Sequence, residues 1–455
     1  MLVVSNSVEL CSNSSRPTPC GRSAQELVMA NVRLTTSIGK YPYFKKEWRN
    51  DMKNQTVKWL FAVCGLFISG LFVMTSSLMG AEKPPIRVGL LLSYTGVAPL
   101  QTQGIANGVE LAFEEVGWKA GGRKIEIVKE DDEYSPSTGL VKVRRLVEER
   151  KVNFVVGPVQ SAVALAIYDY VRKQGVIQIN PNAFSRELTS PEKACETIFR
   201  VIETTDQAMY PMGQWMAKKT PHRNVVIIAT DFKAGHDSAD AFKAGFEAAG
   251  GKVIKDIYPK LGTMDYFPFL RSVDVKGADA TFAWLSGTDA VRFVQQYQES
   301  GMKKRLPLFG HNAVADNSYL ATIGEAALGV VTSCHYTWTL DTPHNRAFVK
   351  AYVTKTGETP SVYGEHGYTA GKLIVAGIEA LKGEVENSAQ VAKELKRVAS
   401  KVQTPSGPLA FDKYNQRIVD ILMVKTEKRD GKLANVVIDN LGTVAQEDVW
   451  KWWRK

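Results

Sequence analysis

From residue 86 onward, short apolar runs that stop at glycine, proline, asparagine or serine alternate with stretches whose apolar positions recur every three or four residues. The first kind predicts buried strands, the second helices with one buried face. The clearest unit lies between Asn153 and Thr189. Phe154–Val156 stops at Gly157-Pro158, a second run at 176–179 stops at Asn180-Pro181, and between them Val163, Ile167, Tyr170 and Val171 share one helical face. A right-handed crossover brings both strand ends and the helix start to one edge of the sheet. Open α/β sheets bind ligands at that edge. Ser161, at the helix start, offers a hydroxyl beside free backbone N–H groups, which suits an anion such as a carboxylate; capping its own helix is the other role open to it.

The alternation continues on both sides of this unit. Strands are predicted at Ile86–Leu92, 124–128, 225–229, Lys252–Ile257, 280–285, 306–309 and 329–333. Helices are predicted through Ile105, Val109, Ala112, Phe113 and Val116, over 138–149, over 239–249, near 266–272 and over 291–297. Such a pattern means parallel sheets covered by helices on both faces. The strands are about twice as many as one sheet needs, which predicts two similar lobes.

The beginning of the chain reads differently. Residues 1–51 are polar and rich in Ser, Thr, Asn and Arg, with no periodicity, and Met52 is a candidate for the true start. Residues 59–81 then carry no charge, between Lys58 and Glu82. A short basic region, an apolar run and small residues near Ala81 make 52–81 a signal peptide for export. An uncleaved membrane anchor is the alternative, although Ser69, Gly70, Thr75, Ser76, Ser77 and Gly80 dilute the run.

Charge adds little. Of the formal +10, residues 1–81 hold +5, from nine basic and four acidic side chains, and the other +5 is spread over the remaining 374 residues. No basic stripe with interleaved aromatics occurs, so nucleic acid is not an expected partner. Five cysteines are too few for a disulfide scaffold and lack metal-ligand spacing; Cys195 and Cys334 alone fall in the folded part, and an oxidising compartment permits them to pair. The chain has no G-x-S-x-G, H-E-x-x-H or C-x-x-C motif. Gly371-Lys372-Leu373 ends like a phosphate loop but sits in a helical pattern with Ile374, Ile378 and Leu381. No enzyme activity and no cofactor are therefore expected.

The pairing of GPVQSAVALA with INPNAFSRELT resembles the leucine/isoleucine/valine-binding proteins of branched-chain amino-acid ABC transporters. SYTG with QGIANGVELAFEEVG, YGEHGYTAGKLIVAGIEAL and GPLAFD resemble the family's opening strand and helix, late helix and closing hairpin, so the resemblance runs from Ile86 to about Val424. It implies an α/β, two-lobe, type I periplasmic-binding-protein fold whose chain crosses between lobes three times, here near 202–204, 333–336 and 405–408. The first lobe is then 82–203 plus 336–405, the second 204–335 plus 406–455.

The resemblance also implies a site. Ser161 matches the serine that holds a ligand carboxylate, and Asn182 and Phe184 match the second loop of the first lobe. Phe184 departs from the threonine usual in leucine binders. On the second lobe, Ser286, beside Trp284, falls on the loop that carries an aromatic over the ligand. Asn312 stands where an acid pairs with the ammonium, and Asp231 is a candidate to supply a replacement charge, capping the helix that follows being the other role open to it. A cleft that keeps a carboxylate contact and lacks an ammonium contact points to a hydrophobic or aromatic acid beside the family's branched-chain amino acids. The implied function is a periplasmic solute-binding protein that delivers such a carboxylate to the membrane permease of an ABC importer. A bilobal sensor or receptor and, further off, a hydrolase are the competing readings.

Overall fold

The computed structural model describes residues 83–450 apart from Asp430, so the expected extension 1–51 and signal peptide 52–81 lie outside the described residues. Two sheets carry the fold. The first contains β1 (Ile86–Leu92), β2 (Lys119–Ala120), β3 (Arg123–Asp131), β4 (Phe154–Val156), β5 (Ile177–Asn180) and β6 (Ile198–Arg200), in the order β2-β3-β1-β4-β5-β6. All neighbours in it are parallel except β2 and β3.

The second sheet is built on β7 (Asn224–Ala229), β8 (Lys252–Ile257), β9 (Ala280–Trp284), β10 (Leu308–His311) and β11 (Val331–Cys334), again parallel. The GPLAFD segment is divided between two hairpins: the short β12 (Gln403–Thr404) pairs antiparallel with its β13 (Gly407–Pro408). Its β14 (Ala410–Phe411) pairs instead with β15 (Arg417–Arg429), which runs antiparallel to β11 and carries β16 (Lys432–Val444) on its other flank. The second sheet is therefore mixed where parallel strands are expected.

Local chemistry explains the boundaries. All residues of β4, β5 and β9 are buried, as strands covered by helices on both faces must be. Helix Ser161–Gln174 stops at Gly175, whose φ of 65° makes a left-handed cap. Helix Thr205–Lys219 starts with a capping box between Thr204 and Gln207. Helix Lys233–Ala248 begins six residues before the expected 239, because its first turn, Lys233-Ala-Gly-His236, has no apolar period to betray it.

One packing contact positions the cleft. Helices Pro99–Glu114 and Val362–Ala380 cross at Gly108, Gly367 and Gly371. A Cβ on Gly367 would run into the Ile105 carbonyl, and one on Gly371 would lie 2.6 Å from the Ala112 methyl. Gly371-Lys372-Leu373 is thus part of a buried helix interface. Cys195 and Cys334 are both free thiols. Among the described residues no helix is long and apolar enough to cross a membrane.

Candidate functional site

The loops after β4 and β5 lie side by side. Gly157 has a φ of 133°, and a Cβ there would strike the Leu91 carbonyl, so only glycine lets this loop leave the sheet beside β1. Asn180 Oδ1 accepts from the N–H groups of Asn182 and Ala183 at 3.0 and 2.8 Å, which curls the second loop. Asn182 Nδ2 donates to the Val159 carbonyl at 2.9 Å and ties the two loops together. Ser161 is the first residue of its helix and Gln160 the cap residue, so the hydroxyl does not cap that helix. Ser161 Oγ accepts instead from the Ser185 N–H at 3.1 Å.

These loops form one wall of a cavity of about 20 Å³. Ser161, Asn182 and Phe184 line it from the side of the first sheet, with Gln101, Tyr134, Gln160 and Tyr363. Ser286 lines it from the side of the second sheet, with Phe232, Trp284 and Ala313. The lining includes five aromatic rings and no Asp, Glu, Lys or Arg. Trp284 packs edge-on to Phe232, with ring centres 5.1 Å apart, while its Nε1 is buried without a hydrogen-bond partner. Gln160 Oε1 and Asn182 Oδ1 are also buried and unpartnered.

Two expected residues stand elsewhere. Asp231 is half exposed, with its carboxylate 2.8 Å from His236 Nε2, and is not part of the lining. Asn312 is buried with neither side-chain atom bonded, but its neighbour Ala313 provides the lining surface. Gln101, Tyr134 and Tyr363 are cavity residues that the turn pattern did not mark, since they come from a helix, a loop and a second helix distant in the chain.

The two sides touch around the cavity. Ser185 Oγ donates to Asp237 Oδ2 at 2.9 Å, Arg186 donates to the Asp237 carbonyl at 2.7 Å, and Lys233 meets Glu187 at 2.8 Å. Gly287, with a φ of 60°, opens the helix that follows β9, and a Cβ on it would collide with the Val97 carbonyl of the loop after β1.

The profile of the periplasmic binding protein family matches residues 85–432. The chain belongs to that family. Among curated relatives, the Leu/Ile/Val-binding protein homolog 6 of Brucella melitensis biotype 1 is 26% identical over 366 residues, which is 79% of this chain and 91% of the relative. Two solved structures are similar along nearly their whole length. One is an R. palustris ABC-transporter solute-binding protein in complex with benzoate, with 28% identity, a TM-score of 0.75, and coverage of 80% of this chain and 99% of that one. The other is an ABC-transporter substrate-binding protein from Sphaerobacter thermophilus, with 33% identity, a TM-score of 0.74, and coverage of 79% and 98%.

This periplasmic binding protein also holds a buried charge cluster that no local motif announced, because its members are scattered along the chain. His335 Nδ1 lies 2.5 Å from Glu203 Oε2, and Nε2 lies 2.9 Å from Glu365 Oε2. Arg417 lies 3.2 Å from Glu365 Oε1. Burial alone would lower the His335 pKa, but the two carboxylates outweigh it and raise it to about 9. Burial would likewise raise Glu203, yet the facing imidazolium brings it down to about 2. His311, whose ring stands edge-on to Phe184 with centres 4.7 Å apart, is lowered to about 4 by burial against the opposing pull of Glu203.

Proposed function

We propose that this protein is the extracytoplasmic solute receptor of an ABC importer and that it closes on a small aromatic or similarly hydrophobic carboxylate. One observation carries the ligand class: the cavity is lined by five aromatic rings and by no ionised side chain. Rings offer stacking and edge contacts to an aromatic ligand. The Ser161 hydroxyl and the N-terminus of helix Ser161–Gln174 supply donors for a carboxylate without a neighbouring cation. An ammonium taken from water without an acid to meet it costs several kcal/mol, and Asp231 stands outside the lining. The benzoate bound by the R. palustris relative supports the same class.

A cavity of 20 Å³ admits about one water molecule, so a ring-sized ligand enters only when the two sides part. In our reading the moving bodies are 82–203 plus 336–405 and 204–335 plus 406–455. A ligand that touches both bodies only when they close shifts the equilibrium toward closure, and the closed receptor is what the permease accepts. The protein reaches the periplasm through the signal at 52–81, and N-terminal sequencing of cell-envelope material is expected to begin near Glu82.

A thermal-shift panel tests the ligand. Benzoate and 4-hydroxybenzoate are expected to raise the melting temperature, since a ligand at a hundred times its dissociation constant stabilises by about 2.7 kcal/mol. Leucine, isoleucine and valine are expected to leave it unchanged. A shift with leucine and none with the aromatic acids would sink the assignment and favour the branched-chain reading, toward which the naming of the Brucella relative points.

A further inference from the structure

The buried charge cluster takes no part in the ligand reading above. Glu203 follows β6 in the first sheet, His335 follows β11 in the second, and His366 stands on helix Val362–Ala380. All three are at most 1% exposed. One donor atom from each lies within 4.8 Å of the other two.

His366 is the residue that asks for an explanation. Neither of its ring nitrogens has a hydrogen-bond partner, although the ring is fully buried and stacked on His335 at 5.1 Å. A buried imidazole left unpaired at both nitrogens is costly and uncommon. His335 is held differently. Glu365 takes its Nε2, and Glu365 is itself fixed by Arg417, by Thr369 at 2.9 Å and by Ser406 at 2.7 Å. That contact leaves Nδ1 facing Glu203. A carboxylate behind a histidine is the usual support of a metal-binding imidazole, and two imidazoles with one carboxylate form a donor set for zinc and related ions.

We propose that Glu203, His335 and His366 bind one divalent transition-metal ion of the zinc type, with Glu365 as the support of His335. The ion takes the place of the proton shared by His335 Nδ1 and Glu203 Oε2, and that proton leaves to solvent. The two atoms, 2.5 Å apart without the ion, spread to roughly 3.4 Å, the separation of donors at ~2.1 Å around a tetrahedral centre. His366 adds the third bond and gains the partner it lacks. The bound ion ties the segments after β6 and β11 to one helix, and so bears on how readily the two sides part.

The test uses the full-length chain, stripped with a chelator and titrated with Zn²⁺ by calorimetry and with Co²⁺ by visible absorption. One equivalent is expected to bind, with the intense ligand-field bands of a low-coordinate cobalt site, its fourth position taken by water, and a raised melting temperature. His366→Ala and Glu203→Gln are expected to weaken binding at least tenfold, and His344→Ala, at an exposed histidine, to leave it unchanged. No saturable binding of either ion by the wild-type chain would overturn the proposal, whatever the variants do. The cluster would then be an ion network in which protonated His335 and Arg417 balance Glu203 and Glu365. Equal binding by the His366→Ala chain would also overturn it, by moving the ion to the surface.

Discussion

At the scale of the residue, Ser161 joins two duties: it faces the cavity and it accepts the Ser185 N–H. Ser161→Ala is therefore expected to weaken carboxylate binding by ~1.5–3 kcal/mol, roughly tenfold to 150-fold, and to lower the melting temperature by leaving that N–H unpaired. Asp231→Ala is expected to leave the affinity within about twofold, and isothermal titration of both variants with benzoate distinguishes them. That Ser161, Asn182, Phe184 and Ser286 stand around one cavity was legible because each follows a strand end closely, where a sheet edge must present its loops. Asp231 also follows a strand end, but its carboxylate meets His236 five residues on and it is not among the lining residues. His311 gives a pH prediction. Its folded pKa of about 4 lies below the ordinary 6.5, so its neutral form contributes stability that is complete above pH 6.5 and lost as the pH falls through about 4. Urea midpoints measured from pH 7.5 to 4 should fall less steeply for His311→Asn, which keeps a side chain able to accept the Ala313 N–H.

At the scale of the element, the parallel strands were readable because burial on both faces leaves a continuous apolar run with a glycine, proline or asparagine stop. The antiparallel pair β15 and β16 was not read. Each strand is 13 residues long, and the apolar runs inside them, 421–424 and 436–438, end at the charged Lys425 and Asp439 rather than at a glycine, proline or asparagine stop. The signal that would have found them is the Asp430-Gly431 dipeptide between them. The crossing of helices Pro99–Glu114 and Val362–Ala380 is an element property of another kind, since it depends on three side chains that are absent. Gly367→Ala is expected to cost about 1–3 kcal/mol, the price of overpacking a tight contact. Chemical denaturation should show it as a lower midpoint with an unchanged slope.

At the scale of the whole molecule, the resemblance carried what periodicity alone could not, namely that the two sheets belong to one periplasmic-binding-protein fold. The family and the fold agree with that expectation. The cluster of Glu203, His335, Glu365, His366 and Arg417 stayed hidden because only the assembled chain brings positions so far apart in sequence into contact. The pinch between Gly287 and the Val97 carbonyl belongs to this scale as well. In the closure proposed above, it would act like a door that shuts flush against its frame, with no clearance left for a single extra carbon. Gly287→Ala would act as a doorstop. The variant should fold, less stable by roughly 1 kcal/mol for the left-handed backbone, yet stay ajar when loaded with ligand. Solution X-ray scattering at saturating ligand is expected to give it a larger radius of gyration than the parent chain, and its ligand should dissociate faster.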